Sequence, residues 1–207
     1  MSSILKVDQL QDSGGNAIIT SNGSGTITPN FKNAGTTVLI HEASSTTDIA
    51  QLDIDSTYIN STYDTYYLKL YLLPATDDVN VRCQFFENGT IINGGADYTV
   101  RSIVTGGTSY VGSKNESVDE MKISGNSNNG NATGETAMFN INFFNVNSTT
   151  VKTQILGDLM FMNSSGDYRS EHFNGGLNDA TKTIDGFRIY WSSGNISEYE
   201  YKLYGIK

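Results

Sequence analysis

The chain has 207 residues, enough for one substantial domain and a shorter segment beside it. Ser, Thr, Asn and Gly supply 86 residues, yet 12 Tyr and 9 Phe distinguish the chain from the aromatic-poor composition of disordered proteins. A net charge of −9 with scattered basic residues excludes a nucleic-acid partner, and no apolar run is long enough for membrane insertion.

Residues 1–34 form a polar segment interrupted by short apolar islands. Two such islands can form a hairpin, but a lone hairpin is only marginally stable in water. We therefore expect residues 1–34 to be an extended attachment arm that packs on a partner chain or on the main domain. The arm residues expected to make these contacts are Ile4, Leu5, Val7, Ile18 and Ile19.

From residue 35 the chain shows the two-residue alternation of β-strands. Leu68 and Leu70 alternate with polar or aromatic neighbours, and residues 79–85 form a second alternating run after the turn at 74–78. Asn88-Gly89 is a strong signal for a tight hairpin turn. These patterns predict a series of antiparallel strands.

The second half of the chain continues the same rhythm. Residues 155–162 read as one long bent strand or as a pair, and residues 115–124 fit either one helical turn or a polar strand. Residues 124–134 are low in complexity and are predicted to form an exposed loop. Residues 184–191 and 199–206 close the chain as two strands around a turn.

These patterns predict an all-β protein with about eight to ten strands, because short alternating runs separated by polar turns are typical of sandwiches and barrels. We expect an antiparallel jelly-roll-like β-sandwich over residues 35–207, preceded by the extended N-terminal arm. The core residues that the alternation predicts are Leu68, Leu70, Val81, Phe85, Phe139, Ile141 and Phe143.

No constellation of residues predicts catalysis, so we expect a protein that is not an enzyme. Cys83 is the single cysteine and lies on the apolar side of a strand, and His41 and His172 lack the spacing of a metal motif. No cofactor is expected. Calcium at loop oxygens is an open alternative, with Asp77, Asp78 and Glu87 as the candidate ligands.

The aromatic side chains are too many for one core if the strands alternate. Some Tyr and Trp side chains must therefore cap the ends of the sandwich or lie on its surface. Surface aromatic residues serve contacts between subunits or stacking on sugars. The candidates for intersubunit or glycan contacts are Tyr190, Trp191, Tyr199 and Tyr201.

Two segments resemble virion proteins of marine tailed bacteriophages. Residues 4–16, Ile-Leu-Lys-Val-Asp-Gln-Leu-Gln-Asp-Ser-Gly-Gly-Asn, resemble the opening of tail-fibre and related proteins, where such a segment begins an arm attached to the particle. Residues 184–196 and 201–207 resemble the closing hairpin of a β-rich domain in the same proteins. The resemblance implies a virion structural protein, trimeric when it belongs to a fibre, and brings no catalytic residues.

We therefore expect a component of the virion, either a tail-fibre or a capsid-decoration subunit. Its expected partners are other copies of itself, as a homotrimer, and other virion proteins. The alternative is a lectin-like carbohydrate-binding module that recognises a glycan on the host surface. A concave patch with tyrosines beside carboxylates favours the alternative, whereas aromatic residues buried between chains favour assembly.

Overall fold

The computed structural model describes residues 9–21, 23, 27–29, 37–106, 109–124 and 128–206. These residues contain sixteen β-strands and no helix. Accordingly, no helix among the described residues is long and apolar enough to cross a membrane. The chain divides into two compact units, Met1–Thr36 and Thr37–Lys207.

The first unit contains a small antiparallel sheet in the order β1-β2-β3, formed by β1 (Gln9–Gln11), β2 (Ala17–Ser21) and β3 (Ile27–Pro29). The Asp12 carboxylate fixes the turn between β1 and β2, because it accepts hydrogen bonds from the backbone N–H groups of Gly14 (2.8 Å) and Asn16 (2.9 Å). The apolar island at residues 17–19 forms part of strand β2. It pairs with residues 9–11, whereas Ile4, Leu5 and Val7 lie outside the described residues.

The second unit contains two antiparallel sheets. Its strands, in chain order, are β4 (Thr37–Ser45), β5 (Leu52–Ile54), β6 (Thr65–Pro74), β7 (Val81–Glu87), β8 (Thr90–Ile91), β9 (Tyr98–Gly106), β10 (Ser109–Val118), β11 (Met121–Lys122), β12 (Ala137–Phe144), β13 (Gln154–Met162), β14 (Tyr168–Leu177), β15 (Gly186–Trp191) and β16 (Ile196–Ile206). The large sheet has the order β10-β9-β14-β13-β12-β6-β16-β4. The small sheet has the order β11-β7-β15-β5, with β8 paired to β7.

The core lies between these two sheets. The Phe143 ring on the large sheet stacks on the Phe187 ring of the small sheet, with centroids 4.1 Å apart. The Phe85 ring of the small sheet meets Phe143 edge-on at 6.2 Å. All seven predicted core residues are buried, which confirms the all-β sandwich.

The chain crosses several times from one sheet to the other. Four adjacent strands of the large sheet, β12-β6-β16-β4, end at its β4 edge, and the small sheet has the four-stranded order β11-β7-β15-β5. This order is compatible with an eight-stranded jelly roll. The hairpins β9–β10 and β13–β14 add four more strands to the large sheet, beside β12.

Several local predictions are confirmed. Asn88 and Gly89 have φ values of 51° and 70° at the turn between β7 and β8, as a tight hairpin requires. Of the alternatives left open, residues 154–162 form one strand, and residues 115–118 continue β10 as a strand. The described residues from Thr37 on contain thirteen strands, more than predicted. The additional ones include β5, β8 and β11, each too short to show alternation.

The prediction of an exposed loop over residues 124–134 is wrong at Ser124, Asn129 and Gly130. Ser124 and Asn129 are fully buried. The Ser124 hydroxyl accepts a hydrogen bond from the Val81 N–H (2.8 Å), and the Asn129 N–H donates to the Val79 carbonyl (2.7 Å). The Ser124 hydroxyl and the Asn129 backbone are thus paired in the interior, which composition alone does not reveal.

Candidate functional site

The face of the large sheet that points away from the core is the candidate functional surface of this protein. Cross-strand registers arrange its side chains in rows, and we call the set below the outer face. One row runs through Glu200, Tyr71, Met138, Met160 and Ser170; the next through Lys202, Lys69, Asn140, Asp158, His172 and Ile103; and the third through Tyr204, Tyr67, Asn142, Leu156 and Asn174.

Large apolar side chains on the outer face are unusually exposed. Met138 and Met160 are directly paired across β12 and β13, and they are 49% and 50% exposed. Leu156 and Ile103 lie on the same face and are also exposed. The outer face therefore offers apolar surface to another molecule.

Tyrosines lie beside the methionines on the half of the outer face formed by β6 and β16. The Tyr67 and Tyr204 rings stack with centroids 5.9 Å apart, and the Tyr67 hydroxyl donates to the Asn140 side-chain oxygen (2.8 Å). The Tyr71 hydroxyl donates to Glu198 (3.2 Å). These contacts hold the rings in fixed positions while leaving part of each at the surface.

Charges on the outer face are separated by sign in its middle row. Lys69 and Lys202 lie side by side on β6 and β16, and Lys202 approaches Glu42 on β4 (3.5 Å). Asp158 lies on β13, where its carboxylate is 2.7 Å from Nδ1 of His172. Lys69 forms no ion pair with any described residue. The row therefore changes from basic on β6 and β16 to acidic on β13.

The outward face of the small sheet has a different chemistry. Arg188 makes a two-point ion pair with Asp53 (2.7 and 2.8 Å) and lies over the Phe86 ring. Arg82 pairs with Glu120 at 2.9 Å. Because these charges are paired within the chain, this face offers fewer groups to a partner than the outer face of the large sheet.

The four aromatic residues that the sequence predicted to be contact residues lie in different environments. Trp191 is only 3% exposed, and its indole N–H has no hydrogen-bond partner among the described residues. Tyr201 is 5% exposed, burial raises its pKa to about 12, and its hydroxyl lies 2.8 Å from Nδ1 of His41. These two rings therefore have little free surface for a sugar or a subunit.

Tyr190 and Tyr199 are half-buried. The Tyr190 hydroxyl bonds to the Glu120 carboxylate, and burial raises the Tyr190 pKa. The Tyr199 ring stacks on Tyr201 with centroids 6.2 Å apart. Only part of each ring is therefore open to a partner, and the structure does not bring the four predicted aromatic residues together.

The predicted arm residues are only partly described. Ile4, Leu5 and Val7 lie outside the described residues. Ile18 and Ile19 lie in the middle of β2 and are half-buried. Leu10, paired with Ile19, is mostly exposed.

The candidate calcium ligands have other partners. Asp78 accepts a hydrogen bond from the Asn128 amide (2.8 Å), and Glu87 lies 3.3 Å from the Lys182 ammonium. Within the described ranges, no group of three His, Cys, Asp or Glu side chains is placed to hold a metal ion. Asp77, Asp78 and Glu87 are therefore not assembled into one site.

Cys83 and Glu171 are two buried titratable residues of the second unit. Cys83 is buried, which raises the pKa of its thiol. Glu171 is 1% exposed on the inner side of β14, and neither of its oxygens has a hydrogen-bond partner among the described residues. Burial raises the pKa of Glu171 to about 7.

Sequence reasoning missed the exposed methionines of the outer face. Residues 159–162 are a continuous apolar run, which hid the alternation within it: Leu159 and Phe161 are buried, whereas Met160 is exposed. A strict two-residue period would have separated Met160 from the core.

No protein-family model matches the chain, and no curated protein matches it.

Proposed function

We propose that the chain is a structural component of a bacteriophage virion, a tail-fibre or capsid-decoration subunit that assembles through its N-terminal arm and its β-sandwich. The observation that carries the proposal is the outer face, where Met138, Met160, Leu156 and Ile103 are exposed on one sheet. Met138 and Met160 are direct neighbours, and exposed apolar side chains gathered on one face favour an interaction site. The resemblance to virion proteins of marine tailed phages supports the location.

The first unit supports an attachment role for the arm. Its strands are three to five residues long, and Leu10 on β1 is mostly exposed. Short extended segments can add to the edge of a neighbouring sheet, where main-chain hydrogen bonds provide affinity without a large apolar face. We expect a homotrimer, as the resemblance to fibres implies, with other virion proteins as further partners.

The test is electron cryomicroscopy of the phage particle that encodes the chain. We expect density for the sandwich at a regular position on the fibre or shell. Particles assembled with a chain that lacks residues 1–36 should lose this density, although the truncated chain remains folded. Absence of the full chain from purified particles, measured by mass spectrometry, would show that the proposal is wrong.

A lectin-like module is the second candidate, because one groove has the required chemistry. A groove of about 460 Å³ lies over β6, β12 and β16, and its lining includes Tyr71, Tyr204, Asn140 and Glu200. Tyrosines beside a carboxylate and an amide can stack on a sugar and accept its hydroxyl hydrogens. The burial of Trp191 removes the one tryptophan from this role.

Binding to an array of host-surface glycans distinguishes the two candidates. Glycan binding that is lost in Tyr204→Ala and kept in Tyr110→Ala would favour the lectin. Tyr110 is a suitable control because it is largely exposed on β10, outside the groove. Absence of binding by the intact protein would leave assembly as the function.

A further inference from the structure

We propose that copies of this chain pack on one another through their outer faces, around an axis parallel to the strands. In this arrangement the half formed by β6 and β16 meets the half formed by β13 and β14 of the next copy. This inference rests on the self-assembly in the proposed function and identifies the surface that performs it.

The outer face extends over six strands of the large sheet. Strands in a sheet are about 4.8 Å apart, so the six strands from β16 to β9 span about 24 Å. Three rows with their flanking residues cover roughly 20 Å along the strands at about 3.4 Å per residue. The resulting area of about 480 Å² is more than half of the roughly 800 Å² that each partner contributes to a standard interface.

The residues of the outer face are those that protein interfaces favour. Met138 lies at the centre of the sheet, beside Met160 on one neighbouring strand and Tyr71 on the other. Methionine and tyrosine are enriched at the centres of interfaces, where a few buried anchors supply most of the binding energy.

Charge complementarity fixes the orientation of the axis. Lys69 lies on one side of β12 and Asp158 on the other, both paired with Asn140 in the same row. An axis parallel to β12 keeps the rows and exchanges the sides, which places Lys69 opposite Asp158 of the second copy. An axis perpendicular to the strands, through this row, would place Lys69 opposite another Lys69.

The other two rows match under the same operation. Tyr71 comes opposite Met160 of the second copy, and Tyr67 comes opposite Leu156. A methionine sulfur next to an aromatic ring is a favourable contact. Glu200 comes opposite the neutral Ser170, and in the middle row Lys202, which has Glu42 beside it, comes opposite His172.

This pairing of unlike halves is compatible with a three-fold axis. Each copy offers its β6–β16 half to one neighbour and its β13–β14 half to the other. Such head-to-tail contacts close into a ring when the rotation is 120°. In a trimer each contact therefore uses one half of the outer face from each copy.

A charge exchange measured by sedimentation velocity on the full chain tests the proposal. Lys69→Asp alone places two carboxylates opposite each other and should weaken self-association at least about tenfold, as for close interfacial charge pairs. Asp158→Lys alone should act in the same way. The double variant restores the opposite charges and should recover association to within about threefold of the original chain.

Two further variants complete the test. Met138→Lys places a charge at the centre of the contact and should give monomers, whereas Asp77→Lys makes a charge change in a turn away from the outer face and should leave the oligomer intact. Circular dichroism confirms that each variant is folded. An oligomer that persists in Met138→Lys and both single charge variants overturns the proposed surface but leaves self-assembly standing. A full chain that is monomeric at every concentration overturns both, and attachment of the arm to the particle is then judged separately by microscopy.

Discussion

Glu171 is a buried carboxyl group that is only 1% exposed. Its side chain lies on the inner side of β14, opposite Leu159 and Val104 on the neighbouring strands. The Ser102 hydroxyl and the Lys122 ammonium only partly oppose the effect of burial on the Glu171 pKa. Burial of an ionised carboxylate is costly, so the folded chain favours the protonated form.

We predict that Glu171→Gln stabilises the protein above neutral pH. The folded pKa of about 7 lies above the ordinary value of 4.5, so this group makes the wild type lose stability as pH rises from 4.5 to about 7. The amide cannot ionise. The variant should therefore be more stable by up to about 3 kcal/mol at pH 8 and about equal at pH 4, in urea unfolding.

Glu200→Gln is the matched control for this measurement. Glu200 is exposed on the outer face, where a neutral substitution should change stability by no more than about 0.5 kcal/mol. Equal pH dependence of the Glu171→Gln variant and the wild type between pH 4.5 and 7 would contradict the prediction.

Phe143 joins the two sheets through its contacts with Phe187 and Phe85. We predict that Phe143→Ala costs about 3–5 kcal/mol in denaturant unfolding, because it leaves a cavity between the sheets. Asn142→Ala changes the adjacent residue, which faces outward, and should cost less than about 1 kcal/mol. A similar small loss for both variants would place the Phe143 ring outside the core.

At the scale of the strand, Gly157 on β13 makes room for a ring on β14. A Cβ built there would lie 2.4 Å from the Phe173 ring and 2.8 Å from the Asn140 carbonyl oxygen. The Phe173 ring packs on Gly157 across the strand pair, and this contact offsets the weak strand preference of glycine.

We predict that Gly157→Ala destabilises the protein by about 1–3 kcal/mol, since the ring and the backbone must both shift. Gly112→Ala on β10 is the control: nothing lies within 4 Å of its added Cβ, so thermal unfolding should be nearly unchanged. An unchanged unfolding temperature in Gly157→Ala would mean that the ring moves aside freely.

In the whole molecule, the first and last strands of the second unit, β4 and β16, are neighbours in the large sheet. β16, the last strand, pairs with β4 on one side and with β6 on the other. Its removal exposes the edges of two strands and the inner face beneath them. The first unit, by contrast, is compact by itself.

We predict that deletion of residues 196–207 abolishes cooperative unfolding of the sandwich, whereas deletion of residues 1–36 preserves it. Near-ultraviolet circular dichroism and thermal unfolding report both outcomes, because packed aromatic residues give the near-ultraviolet signal only in a folded core. A cooperative transition in the chain that lacks residues 196–207 would show that β4 and β6 can close the sheet without β16.

The sequence by itself determined the class of structure and much of the core. Leu68, Leu70, Phe139, Ile141 and Phe143 are buried as their alternation predicted, because the two-residue period of a strand assigns successive side chains to opposite faces. The hairpin turn at Asn88-Gly89 could also be predicted from local sequence, because it depends on backbone angles that these two residues adopt easily.

Only the tertiary structure decided which strands are neighbours, and the outer face depends on that order. Lys69 on β6 is far in the chain from Met138 and Met160 on the consecutive strands β12 and β13, and the three share a surface because β12 lies between β6 and β13. The same long-range packing buries Asn129 and Trp191, which composition and residue type suggested were exposed. Alternation assigns a residue to a face of its own strand, whereas the neighbours of that strand depend on contacts between residues far apart in the sequence.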